Sequence, residues 1–184
     1  MLNEKQFRER AAREMREIGN QVLALAADRE LYRKFEAELA QASPELSGSN
    51  TFVDLIRGSY TDALTMRLRR LVAPEANLSL RRTIVQLSDY PDLLHEKVNL
   101  RELAQDAGML DKSAADLKVM VEPHFLPHER TPGALAPAHR DLDRVLDLLI
   151  ELLQKYYWVV CGGHLNFEVK VEGNPLAALR APSI

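Results

Sequence analysis

Apolar residues in this chain recur at intervals of three and four. Phe7, Ala11, Met15, Ile18, Val22 and Leu25 fall on one side of a helical wheel, the stripe that an amphipathic helix buries. Asn3 followed by Gln6 makes a capping-box pattern at its start. The periodic pattern reaches about Ala40, and SPELSGSN (43–50) is a loop by composition. A second helix is predicted from Thr51 to Val72, with Phe52, Ile56, Tyr60, Ala63, Leu64 and Leu71 on one face and Pro74 as its stop. A third begins behind Ser79, whose hydroxyl can cap free amides, and carries SLRRTIVQL.

Pro91 interrupts the segment that follows. Asn99 and Glu102 repeat the capping-box pattern and open a short helix expected to stop at Gly108. Another is expected from about Asp111 to just before Pro123. Pro123, Pro127, Pro132, Gly133 and Pro137 make 123–137 a long irregular loop, and such loops in compact domains are often functional. The last long helix is predicted from about Ala138 to Val160, on a stripe of Leu142, Leu146, Leu149, Leu153, Tyr156 and Val160, and Gly162–Gly163 ends it. Leu148, Leu152 and Trp158 lie off that stripe, which fits either a central place in a bundle or a dimer face. NFEVKVEG (166–173) alternates, as a short strand or an extended tail does. The pattern as a whole predicts an all-α bundle of four to five helices in a single domain, 1–184, with a short extended or β segment at its C-terminal end.

Composition narrows the function. The 184 residues are 46% hydrophobic and 28% charged, a globular balance that excludes a wholly disordered chain. Cys161 is the single cysteine, so internal disulfides and cysteine-rich zinc sites are excluded. A net charge of −3 disfavours a generally basic nucleic-acid binder but leaves room for a local patch. No apolar run is long enough to cross a membrane, and the N-terminus lacks the apolar core of a signal peptide. A cytoplasmic protein with no membrane association is expected.

Arg67 stands out because it falls within the apolar stripe of the second helix. An unpaired guanidinium is costly there. Either a carboxylate on another helix answers it, or the stripe borders a polar cavity. Arg67, Arg69, Arg70, Arg81 and Arg82 lie close together with Glu75 as the one acid among them. Their planar forks suit phosphate, and the free amides after Ser79 suit an anion. The alternative is a solvated face paired to acids elsewhere. No aromatic is interleaved, which weakens a single-strand stacking platform.

His124 and His128 are four apart, but Pro123 and Pro127 argue against the helix that would align them on one metal. No metal and no cofactor are expected. An acid–base role suits one of them; the alternative is a hydrogen-bonded loop histidine. Asp141 and Asp143 behind His139 answer the helix dipole. Nothing orients Cys161 as a nucleophile, and its CGG is a helix stop rather than a phosphate loop.

SYTDALTMRLRRLVAPEANLSLRRTIVQL, followed by HFLPHERTP and AHRDLDRVLDLLIELLQKYYWVVCGG, resembles the abortive-infection U-type branch of the HEPN superfamily, which is related to phage-defence proteins. Arg70-Leu71 and Ser79-Leu80 match its central signature; Ala73 stands where an acid is usual, with Glu75 as a substitute. The resemblance covers roughly 50–163 and leaves 164–184 as a tail. It implies a helical bundle, often a homodimer, in a defence or toxin–antitoxin setting with RNA, a nucleotide or a protein antitoxin as partner. It also implies metal-independent RNA cleavage, with histidine as acid or base and arginine stabilising the phosphate. This chain departs from that motif. At the spacings where arginine should precede His128 stand Pro123, Glu122 and Val121, and before His139 stand Gly133, Pro132 and Thr131. A degenerate ribonuclease site is therefore expected, one that binds RNA or a nucleotide. Were it active, His128 would be acid or base and Arg130 its nearest arginine, with Arg67, Arg70, Arg81, Arg82 and His124 holding phosphate. The alternative is a non-catalytic homodimeric interaction or structural protein in which Arg67 is buried and forms a structural ion pair.

Overall fold

The computed structural model describes residues 4–41, 51–94, 96–125 and 139–169. These residues form five α-helices: α1 (Glu4–Ala40), α2 (Thr51–Val72), α3 (Leu80–Ser88), α4 (Leu100–Phe125) and α5 (His139–Cys161), with a 3-10 turn at Pro91–Leu93. Among the described residues there is no strand. Residues 164–169 are neither helix nor strand, although Leu165 and Phe167 pack on the core. The rest of the expected C-terminal segment, 170–184, lies outside the described residues.

The α1 stripe is buried as its spacing predicts, from Phe7 through Leu25. With 37 residues, α1 is about 55 Å long at 1.5 Å per residue. Its first half joins a core shared by all five helices. Its second half builds a smaller cluster, Tyr32, Phe35, Leu39 and Val53, against the start of α2. The α5 helix crosses both: Arg29 Nη1 lies 2.5 Å from Asp147 and Arg33 Nη2 lies 2.9 Å from Asp143. Leu152 is buried within the chain, and Leu148 and Trp158 are half-buried. Gly162 takes a φ of 65° and its N–H closes on Trp158 O at 2.8 Å, ending the helix.

Two expectations change. The buried positions of α2 are Val53, Thr61, Leu64, Thr65, Leu68, Leu71 and Val72: of the expected stripe Leu64 and Leu71 are buried, whereas Ile56 and Tyr60 are half-buried and Phe52 and Ala63 are exposed. The two threonines belong inside because each hydroxyl donates within the helix, Thr61 to Arg57 O at 2.8 Å and Thr65 to Thr61 O at 2.6 Å. The helix predicted to end at Gly108 also continues, as one 26-residue helix to Phe125. A glycine in a helix costs about 1 kcal/mol, and the uninterrupted burial of Leu103, Ala107, Leu110 and Leu117 outweighs it. Pro123, expected just beyond a helix end, lies inside this last turn, where it forfeits one backbone bond. No helix among the described residues is long and apolar enough to cross a membrane.

Candidate functional site

The rotation of α2 leaves Ala63 exposed on a groove that Ile56 and Tyr60 also line, both half-buried against the core at its floor. Leu25, Leu31, Tyr32 and Phe35 of α1 form the facing wall, and the space between them is about 370 Å³. That is the size of a small-molecule site. The groove is lined on α1 from Leu25 to Phe35 and on α2 from Ile56 to Arg67, which at 1.5 Å per residue makes it about 15 Å long.

Tyr32 and Tyr60 form its waist, with ring centroids 3.9 Å apart. His139, the first residue of α5, sets its ring edge-on to both, at 4.9 Å and 5.8 Å. His139 Nε2 lies 2.8 Å from Thr61 Oγ1. The Thr61 proton is already donated to Arg57 O, so this network assigns the imidazole proton to Nε2. Tyr32 donates to Glu36 at 2.8 Å, and Arg57 grips both Glu36 oxygens at 2.8 and 2.9 Å. The hydrogen bonds from Arg57 hold the Glu36 carboxyl below the usual carboxylate range against the opposing pull of burial. Burial raises both tyrosine hydroxyls, Tyr60 to about 12. The ring pair is thus neutral and locked from behind, with one face on the groove.

At the other end stands Arg67, paired with Asp28 of α1. A partner on another helix and a bordering cavity were alternatives in the sequence, and the structure supplies both. Two corrections apply. The cavity is apolar rather than polar, and the pair is not buried: the Arg67 and Asp28 side chains are 41% and 46% exposed. They stand at the mouth of the groove.

Of the other arginines only Arg70, one turn further along α2, lies near that mouth. Arg81 gives a bidentate pair to Asp111 of α4 at 2.9 and 3.0 Å. Arg82 Nη1 donates to Asn77 O at 3.1 Å. Arg69 lines a separate depression beside Asp111. Arg70 is exposed, with no ion-pair partner among the described residues. The five therefore point to three sides rather than to one phosphate. The Ser79 cap forms as predicted, its Oγ accepting from Arg82 N at 3.2 Å. His128 and Arg130 lie outside the described residues, as does the side chain of His124. Burial raises the Cys161 thiol, the opposite of what a nucleophile needs. Among the described residues no three of His, Cys, Asp and Glu gather closely enough to hold a metal ion.

Of the groove residues, Asp28 and Tyr32 were not singled out from sequence, Tyr60 was placed on the apolar stripe of α2, and His139 was weighed only for the arginine spacing before it. A usable signal was present for one: Asp28 sits three residues after Leu25 on the α1 stripe, an acid among apolar positions just as Arg67 is a base among them. Comparison with protein-family models, with curated proteins and with solved structures finds no match.

Proposed function

We infer that this protein is a HEPN-like helical bundle that works by binding rather than by catalysis, and that the α1–α2 groove is its binding site. One observation carries this reading. The arginine singled out by the sequence opens onto a groove of about 370 Å³ with apolar and aromatic walls, and its charge is matched by Asp28. A site that cleaves a phosphodiester needs cations free to stabilise the transition state, whereas Arg67 and Arg81 each hold a carboxylate. An apolar groove with an aromatic waist instead suits an organic ligand with a hydrophobic body.

The test is binding of phenylnaphthylamine, a neutral dye that fluoresces in apolar surroundings, to the full chain. Enhancement in the wild type, abolished in Ala63→Trp, supports the groove. Ala63 is exposed on the groove wall, so the larger ring fills the space without entering the core. Metal-free RNA cleavage by the wild type, lost in His128→Ala, would overturn the non-catalytic reading.

A second reading keeps the phosphate chemistry, on the observation that Arg70 and Arg82 carry no carboxylate among the described residues. It makes the protein an RNA- or nucleotide-binding member of a defence system. Retention of RNA that falls steeply with salt and is lost in Arg70→Ala would favour it.

A further inference from the structure

We propose that the ligand of the α1–α2 groove is a free amphiphilic monoanion: an elongated aliphatic or aromatic body with one carboxylate or sulfonate-like group, lying along the groove with its acid at the Arg67 end. This rests on the groove being the binding site and adds the chemistry and orientation of what fills it.

The two ends of the groove differ. At the Phe35 and Ile56 end the lining is apolar, while charge enters only at Asp28 and Arg67. Those two cancel. The sign of the mouth is then set by Arg70, one turn further along α2. Residues three apart on a helix are neighbours, with Cβ atoms about 5–6 Å apart, so Arg70 stands beside Arg67 on its solvent side. It is exposed and has no carboxylate among the described residues. Two guanidinium groups against one carboxylate leave a single positive charge, which complements one negative charge. A phosphate dianion would be undercompensated, and a cation would meet Asp28 only by displacing Arg67. Arginine at such a position can offer an acid two parallel N–H groups.

The body follows from the walls. The Tyr32–Tyr60 pair is stacked and uncharged, and Leu25, Leu31, Phe35, Ile56 and Leu64 surround it. A polar chain would lose its water there without recovering hydrogen bonds. A body up to about 15 Å long matches the groove, given the helical rise along both walls. A free amphiphile rather than a bilayer fits a charge confined to one end of a groove between two helices instead of spread over a basic face.

Two probes with the same body isolate the acid: anilinonaphthalene sulfonate and the neutral phenylnaphthylamine. On the full chain at low salt, the sulfonate should bind about twofold to fivefold more tightly, the increment expected of one partly exposed ion pair. In Arg70→Gln, which removes no contact among the described residues, the two affinities should converge. In Arg67→Gln, which leaves Asp28 unpaired, the sulfonate should become the weaker ligand. Decanoate should displace the sulfonate, and decanol should do so less well. Equal affinity of the two dyes in the wild type, or an unchanged ratio in Arg70→Gln, would overturn the anion while leaving the groove standing. Binding to anionic vesicles without competition by decanoate would overturn the free amphiphile. Failure of both dyes to bind the wild type would overturn the groove reading itself.

Discussion

Tyr32 of α1 and Tyr60 of α2 lie face to face, their ring centroids 3.9 Å apart and their planes 1° from parallel. The contact ties the far half of α1 to α2, with Tyr60 packed on both the main core and the smaller cluster that holds Tyr32. Stacked aromatic pairs contribute about 0.5–1.5 kcal/mol beyond the area they bury. A double-mutant cycle of Tyr32→Leu and Tyr60→Leu, read by urea denaturation, should return a coupling of about that size. Additive effects would mean that the rings act as independent hydrophobes.

The same burial shapes the alkaline limit of stability. Burial holds the Tyr60 hydroxyl at about 12 and raises those of Tyr32 and Tyr156 as well, helped by Glu36 and Asp106 respectively. In the unfolded chain a tyrosine titrates near 10. Above that pH the unfolded state sheds protons that the folded state keeps, so stability falls as pH rises from about 10 towards 12. The urea midpoint should drop across that window. Substituting Tyr156→Phe should make the pH slope shallower. An unchanged midpoint from pH 10 to 12 would contradict the shifted hydroxyls.

Periodicity carried most of the helical frame. The α1 stripe, the Ser79 cap and the Gly162 stop are each local, and local signals survive folding. The misplaced face of α2 turned on hydroxyl bonding that residue polarity alone does not show. Thr61 and Thr65 read as polar until their hydroxyls are seen bonded within the helix, and turning α2 towards them is what opens the groove beside Tyr60. Arg67 was legible because a charge inside an apolar stripe demands an answer. Its partner, Asp28, lies 39 positions back, a pairing that no spacing rule encodes. Tyr32, Tyr60 and His139 come from three helices and meet only through the packing of α5 across the other two.

Asp106 of α4 is a buried acid, 5% exposed, and it ties α4 to α5. It accepts from the Tyr156 hydroxyl at 2.7 Å and from Lys155 Nζ at 2.6 Å. Lys155 also reaches the exposed Glu102 at 2.6 Å. Removing one member leaves the others with unequal losses. Asp106→Ala strands the buried Tyr156 hydroxyl and leaves Lys155 only the exposed Glu102, and should cost the most, about 2–4 kcal/mol. Tyr156→Phe leaves the ion pair intact and should cost about 1–2 kcal/mol. Glu102→Gln, at the solvent edge, should cost under about 1 kcal/mol. Denaturation midpoints in that order would support the network; a Glu102 variant as damaging as the Asp106 one would contradict it.

On the acid side the decisive group is Glu36. Its carboxyl is held low, chiefly by hydrogen bonds from Arg57. A depressed carboxyl contributes stability above its unfolded pKa, near 4.3, and loses it as pH falls through the folded value. The wild type should therefore weaken below about pH 4, and Glu36→Gln should start weaker at neutral pH but show a shallower acid slope. Parallel slopes in the two proteins would remove Glu36 from the account.

Glycine gives the last prediction, since the same residue type is a stop in one helix and a passenger in others. Gly58 of α2 and Gly108 of α4 both sit inside helices, and a Cβ at either meets nothing within 4 Å. Alanine there removes backbone freedom from the unfolded chain without crowding the folded one. Each of Gly58→Ala and Gly108→Ala should stabilise by about 0.5–1 kcal/mol, raising Tm by roughly 1–4 °C for a chain of this size. Gly19 of α1 offers the contrast. A Cβ there would stand 3.2 Å from Leu165 Cδ1, so the helical gain is spent on moving the segment that packs α1 after α5. Gly19→Ala should come out near zero, and Gly19→Val, with a second branch against Leu165 and Leu153, should destabilise. A Gly108→Ala variant less stable than wild type would mean that α4 is not continuous through that position.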